Sequence, residues 1–198
     1  MKEQIIEVRK NNTKDFYKKI RLLKLKRKFG YKFKVKYNGK LYSKDDKYPK
    51  EIEEIINIIN IINAPSKKEK YSLVYDYACE YLDNEFRGKN LCGFENDICI
   101  CNRCKPKEKQ VGSCCVKTST GEVCKHFDDI NKCCKIKCLG CKLYVCIPLY
   151  KSNIKFPVRK VSYLKYFLSF RQKCIVKSNV FVDKEYVLNK LVKFYIWV

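Results

Sequence analysis

Twelve cysteines fall within 55 residues, from Cys92 to Cys146, and this density constrains the chain more than any other feature. They are Cys92, Cys99, Cys101, Cys104, Cys114, Cys115, Cys124, Cys133, Cys134, Cys138, Cys141 and Cys146. A segment like this has few long apolar runs, so crosslinks or metal ions must do the work of a core. A disulfide framework needs an oxidising compartment. The start of the chain, Met1 to Asn12, shows no apolar run followed by small residues, so no secretory signal is predicted. The expected setting is therefore the reducing cytoplasm, with the thiolates binding metal.

The spacing agrees. Cys101-Asn-Arg-Cys104 and Cys138-Leu-Gly-Cys141 are both Cys-x-x-Cys knuckles. That interval lets two thiolates and the amides between them wrap one ion. The candidate ligands are Cys99, Cys101, Cys104, Cys114, Cys115, Cys124, Cys133, Cys134, Cys138, Cys141 and Cys146. Twelve thiolates supply at most three four-thiolate sites, and two Zn²⁺ sites are favoured. A [4Fe–4S] cluster takes the same ligands and stays open as the alternative. The chain has one histidine, His126, which stands two residues after Cys124 and is either a ligand or a donor to one.

The stretch Gly112-Ser113-Cys114-Cys115, then Cys124-Lys125-His126, Cys133-Cys134 and Lys137-Cys138-Leu139-Gly140-Cys141-Lys142-Leu143-Tyr144-Val145-Cys146 resembles bacterial cysteine-cluster proteins of clostridial type. The resemblance implies metal binding followed by a helical tail, and it brings no settled activity.

Charge divides the rest. The chain carries 44 Lys plus Arg against 21 Asp plus Glu, a formal net charge of +23. Residues 1–50 contribute +13, residues 51–98 contribute −5, residues 99–146 contribute +6 and residues 147–198 contribute +9. Such a surplus calls for an anionic partner, nucleic acid before any other. Of the cations 37 are Lys and 7 are Arg, which favours contact with phosphates over reading of bases.

Periodicity predicts an α+β chain in four segments: a basic helix plus β-hairpin (1–48), a helical hairpin (49–90), the Cys-rich segment (91–147) and a basic helical tail (148–198). Thr13 opens a helix to about residue 28, with Phe16, Ile20 and Leu23 inward, and Gly30 stops it. Tyr31, Phe33, Val35 and Tyr37 then alternate with Lys32, Lys34 and Lys36 before Asn38-Gly39, the pattern of a hairpin with a type I′ turn. The three lysines stand about 6.8 Å apart on one face. They read equally well as a solubilised edge strand or as a ribbon tracking phosphates.

Pro49 and an isoleucine stripe from Ile52 to Ile62 give the next helix. Ser66 and Glu69 form a capping box for another over about 67–86, with Val74, Tyr75, Ala78, Tyr81, Leu82 and Cys79 inward. In the tail, one basic amphipathic helix is predicted from Val158 to Cys174, presenting Lys160, Lys165, Arg171 and Lys173. Asp183 caps a last helix with Tyr186, Val187, Leu191 and Phe194 apolar. Cys174 is expected to be structural.

No phosphate loop, nucleophile elbow or paired-histidine motif is present, so no catalytic residues emerge. No apolar run is long enough for a transmembrane helix. The expected function is a metal-binding protein that engages RNA, single strands or a ribonucleoprotein. The competing readings are a small inhibitor or accessory protein of a nucleic-acid-processing enzyme, and an iron–sulfur redox protein.

Overall fold

The computed structural model describes residues 2–10, 13–42, 46–91, 93, 127–128, 130, 133–134, 138–145 and 147–194. The chain is α+β, and it divides into two compact units, Met1–Val74 and Tyr75–Val198.

The first unit begins with a strand, β1 (Lys2–Val8), then α1 (Thr13–Lys28), β2 (Tyr31–Tyr37) and β3 (Lys40–Tyr42). β2 and β3 form the predicted antiparallel hairpin. Asn38 and Gly39 both have positive φ, 48° and 81°, as a type I′ turn requires. β1 pairs with β2 in parallel, so the sheet order is β1-β2-β3 and β2 is central. The edge-strand reading of the lysine row therefore fails. The row is also partly neutralised, because Glu3 and Glu7 of β1 stand in register with Lys32 and Lys36. Glu3 pairs with Lys34 at 2.9 Å.

The other face of β2 buries Phe33, Val35 and Tyr37. α1 contributes Phe16, Ile20 and Leu23 to the core. α2 (Lys50–Asn63), with Pro49 as its N-cap, buries seven isoleucines: Ile52, Ile55, Ile56, Ile58, Ile59, Ile61 and Ile62. β3 places Tyr42 opposite Val35. Two residues earlier in β2, the Asn63 side chain bonds the Phe33 backbone. Its amide oxygen accepts the Phe33 N–H at 3.0 Å, and its nitrogen donates to the Phe33 carbonyl at 2.7 Å. Two backbone groups of β2 are thus satisfied by the last residue of a helix.

α3 (Lys67–Gly88) starts with the Ser66 hydroxyl accepting the Glu69 N–H at 3.1 Å. Tyr71 and Val74 are buried in its first half, and Tyr75, Ala78, Cys79 and Leu82 in its second. Tyr81, expected inside, is 39% exposed.

In the second unit a short ladder joins β4 (Phe127–Asp128) to β5 (Cys133–Cys134). α4 (Leu139–Leu143), α5 (Ile147–Lys151), a 3₁₀ turn (Val158–Lys160), α6 (Ser162–Phe167), α7 (Phe170–Ser178) and α8 (Lys184–Lys193) follow. The single helix predicted over 158–174 is three pieces. Ser169 breaks it by forming a capping box with Gln172, so that α7 starts afresh. Gln172 is buried and also donates to the Leu191 carbonyl at 3.3 Å, tying α7 to α8. Asp183 caps α8, accepting the Tyr186 N–H at 2.8 Å. Val187, Leu188 and Leu191 are buried, whereas Tyr186 and Phe194 are exposed. Cys174 is exposed on α7 and not packed inside. Among the described residues no helix is long and apolar enough to cross a membrane.

Candidate metal centre

The Cys138-Leu-Gly-Cys141 knuckle is a folded object. Cys138 is the N-cap of α4 and Cys141 lies in its first turn, with the Lys142 N–H donating to the Cys138 carbonyl at 3.1 Å. The knuckle seats on the end of α7 and the linker to α8. The Phe181 N–H donates to Cys141 Sγ at 3.1 Å. The backbone amides of Cys141, Val182 and Phe181 also favour the charged form of Cys138. As a thiol, Cys138 donates in turn to the Asn179 carbonyl, with Sγ and oxygen 3.7 Å apart.

The hydrogen bond from Cys141 is the strongest influence holding Cys138 below the usual thiol range. Burial opposes it and the three amides add to it. Sulfurs surrounded by N–H donors are sulfurs prepared to carry negative charge, the state in which they bind metal.

The seat is close-packed. A Cβ on Gly140 would lie 2.3 Å from the Asn179 carbonyl oxygen and 2.8 Å from that of Val176. Behind the knuckle, the Tyr75 hydroxyl of α3 accepts the Leu139 N–H at 2.9 Å, and burial holds the phenol well above its ordinary pKa. Lys142 pairs with Asp83, and Lys184 with Asp76 at 2.6 Å, linking α4 and α8 to α3. Cys79 lies in the same region, fully buried. Burial pushes its thiol up to about 12, with Lys142 opposing and Asp83, Asp76 and Cys138 reinforcing. It stays protonated and packs as a small apolar residue.

Phe181 has φ of 59°, a left-handed conformation that bulky residues rarely adopt, and in it the amide points at sulfur. Sequence reasoning found the two cysteines but not Tyr75, Asn179 or Phe181.

Among the described residues no group of three His, Cys, Asp or Glu gathers to hold an ion, and Cys138 and Cys141 are two thiols where a tetrahedral thiolate site needs four. The donor chemistry fits zinc or an iron–sulfur cluster once two more thiolates join. Cys99, Cys101, Cys104, Cys114, Cys115, Cys124 and Cys146, together with Cys92 and His126, lie outside the described residues. The Cys133–Cys134 backbone is β5. Cys79, Cys138, Cys141 and Cys174 are thiols.

Of the basic candidates, Lys32, Lys34 and Lys36 share the β2 face described above. Lys160, Lys165 and Arg171 are exposed in the second unit, and Lys173 is half-buried. The Lys173 ammonium donates to the Lys165 carbonyl at 3.3 Å, bringing those two together across the α6–α7 break.

Tyr75→Phe leaves the Leu139 N–H without its buried partner. It should cost about 1–3 kcal/mol, read as a lower urea midpoint with unchanged slope.

No protein-family model, curated protein or solved structure matches the chain.

Proposed function

We propose that the chain is a metal-thiolate protein, zinc being the preferred ion, in which Cys138 and Cys141 act with further cysteines of the 92–146 stretch. The observation that carries this reading is the set of backbone amides directed at the two sulfurs, with the knuckle locked through Gly140 onto α7. A cysteine pair serving only as core filler has no use for these donors. The cysteine-cluster resemblance points the same way.

The second half of the proposal is an anionic partner, RNA or single-stranded nucleic acid in first place, bound through phosphates. A net charge of +23 dominated by lysine supports it. The β2 row is the weaker surface because Glu3 and Glu7 stand beside it. The stronger one is Lys160, Lys165, Arg171 and Lys173.

The test is the salt dependence of binding to a single-stranded oligonucleotide. Each neutralised phosphate contributes about −0.7 to the log–log slope. Changing Lys160, Lys165, Arg171 and Lys173 to Gln should flatten the slope by roughly two to three and weaken binding to all sequences alike. Changing Lys32, Lys34 and Lys36 to Gln should flatten it by no more than about one, and the melting temperature should barely move. No binding by the wild-type chain at low salt would remove nucleic acid as the partner.

A further inference from the structure

Four lysines, two from α1 and two from α3, flank one corner of the first unit. The Arg27 guanidinium donates from Nη2 to the carbonyl of Asn63, the last residue of α2, at 3.2 Å. That bond pins the final turns of α1 to the α2–α3 corner. Lys24 and Lys28 lie one turn apart on α1, on either side of Arg27. Four residues beyond Asn63, α3 begins, and Lys67 and Lys70 share one side of its first turn. The Ser66 hydroxyl fixes that turn through the Glu69 N–H. Glu69 lines a different place, the cleft of about 280 Å³ that it shares with Glu3, Lys32, Lys34 and Asn63. Lys26 of α1 is also turned elsewhere, to Gln4 and the Tyr31 ring.

We infer that Lys24, Lys28, Lys67 and Lys70 form a binding site for a phosphate-bearing anion. Burial lowers Lys70 most, and Lys24, Lys28 and Lys67 add to it, bringing it down to about 8. Lys24 is lowered too, by burial first and by Lys28 second. Gathering like charges around a half-buried ammonium opposes folding, and an anion with several oxygens reverses that sign by accepting from several ammonium groups at once. Lysine suits phosphate as a point charge free to swing on its stem. The ligand is either a nucleic-acid backbone or a free polyphosphate, and the site does not depend on the nucleic-acid reading above.

The experiment uses the full chain with sodium tripolyphosphate and, separately, a single-stranded oligothymidylate, at matched ionic strength. Lysine acetylation footprinting reads each side chain by mass spectrometry. Tripolyphosphate should protect Lys24, Lys28, Lys67 and Lys70 several-fold and leave Lys14 and Lys193 unchanged. It should raise the melting temperature of the wild type but not of Lys24→Gln/Lys70→Gln, which should be at least as stable as wild type without ligand and bind at least tenfold more weakly. Protection by the oligonucleotide at lower phosphate concentration assigns the site to nucleic acid. Protection by tripolyphosphate alone assigns it to free polyphosphate. Uniform protection of all lysines, or wild-type affinity in the double variant, overturns the site.

Discussion

Cys138→Ser/Cys141→Ser should lose one metal ion per chain and the cooperative folding of the residues around the knuckle. Serine keeps the size of cysteine but is a poor ligand for a thiophilic ion. In small domains where thiolates staple a loop-rich segment, metal binding is worth about 10–16 kcal/mol and is inseparable from folding. The second unit has apolar packing of its own in α3, α6, α7 and α8, with Leu82, Leu164, Val176, Leu188 and Leu191 buried. The loss should therefore concentrate at α4 and the Cys-rich stretch and spare the first unit, whose described residues include no cysteine. Native mass spectrometry counts the ion, and amide exchange locates the unfolding. Cys79→Ala is the control: it should keep the ion and cost about 1 kcal/mol for the lost buried sulfur. Equal metal content in the double variant and the wild type would remove the knuckle from the site.

Gly140→Ala should be the most damaging single methyl group in the second unit. The new Cβ meets the carbonyl oxygens of Asn179 and Val176 at 2.3 and 2.8 Å. Both belong to the backbone at the end of α7, so no side chain can swing aside. α4 must lift off, and in doing so it pulls Cys138 and Cys141 away from the Phe181 and Val182 amides. Overpacking of this kind costs about 1–3 kcal/mol. At roughly 2–4 °C per kcal/mol for a chain of this size, the melting temperature should fall by several degrees, and metal affinity measured against a competing chelator should fall with it. Gly88→Ala, where a Cβ would meet nothing within 4 Å, should change neither. An unchanged melting temperature and affinity in Gly140→Ala would mean that the close seat on α7 is not needed.

Local signals carried most of the fold. The isoleucine stripe, the Asn38-Gly39 turn and the Asp183 cap were all readable because each acts within one or two turns of chain. β1 was not. Its Ile5-Ile6 pair breaks the alternation that marks a strand, since an edge strand with four of seven residues exposed and only Val8 buried has little core to face. Without β1, the lysine row of β2 looked like an edge. In the tail, the apolar spacing ran on through Leu168, and it outweighed the Ser169-x-x-Gln172 signal that ends one helix and starts the next.

The site divides the same way. Cys-x-x-Cys is a local pattern and was found. Tyr75, Asn179 and Phe181 reach the knuckle from about 40 to 64 residues away through hydrogen bonds, and no spacing rule links them to it. Gly140 was visible as a small residue between two cysteines, but the reason for its size is the approach of α7.

Metal content is the most direct measure of the account. Elemental analysis of the purified full chain, taken with its visible spectrum and a thiol titration under native conditions, decides it. The expected result is a colourless protein with at least one zinc per chain, thiols shielded until a chelator is added, and one fewer ion in Cys138→Ser/Cys141→Ser. A brown, iron-containing protein would keep the thiolate ligands and replace zinc with a cluster. A metal-free chain whose cysteines are all reactive, or all paired in disulfides, would contradict the account.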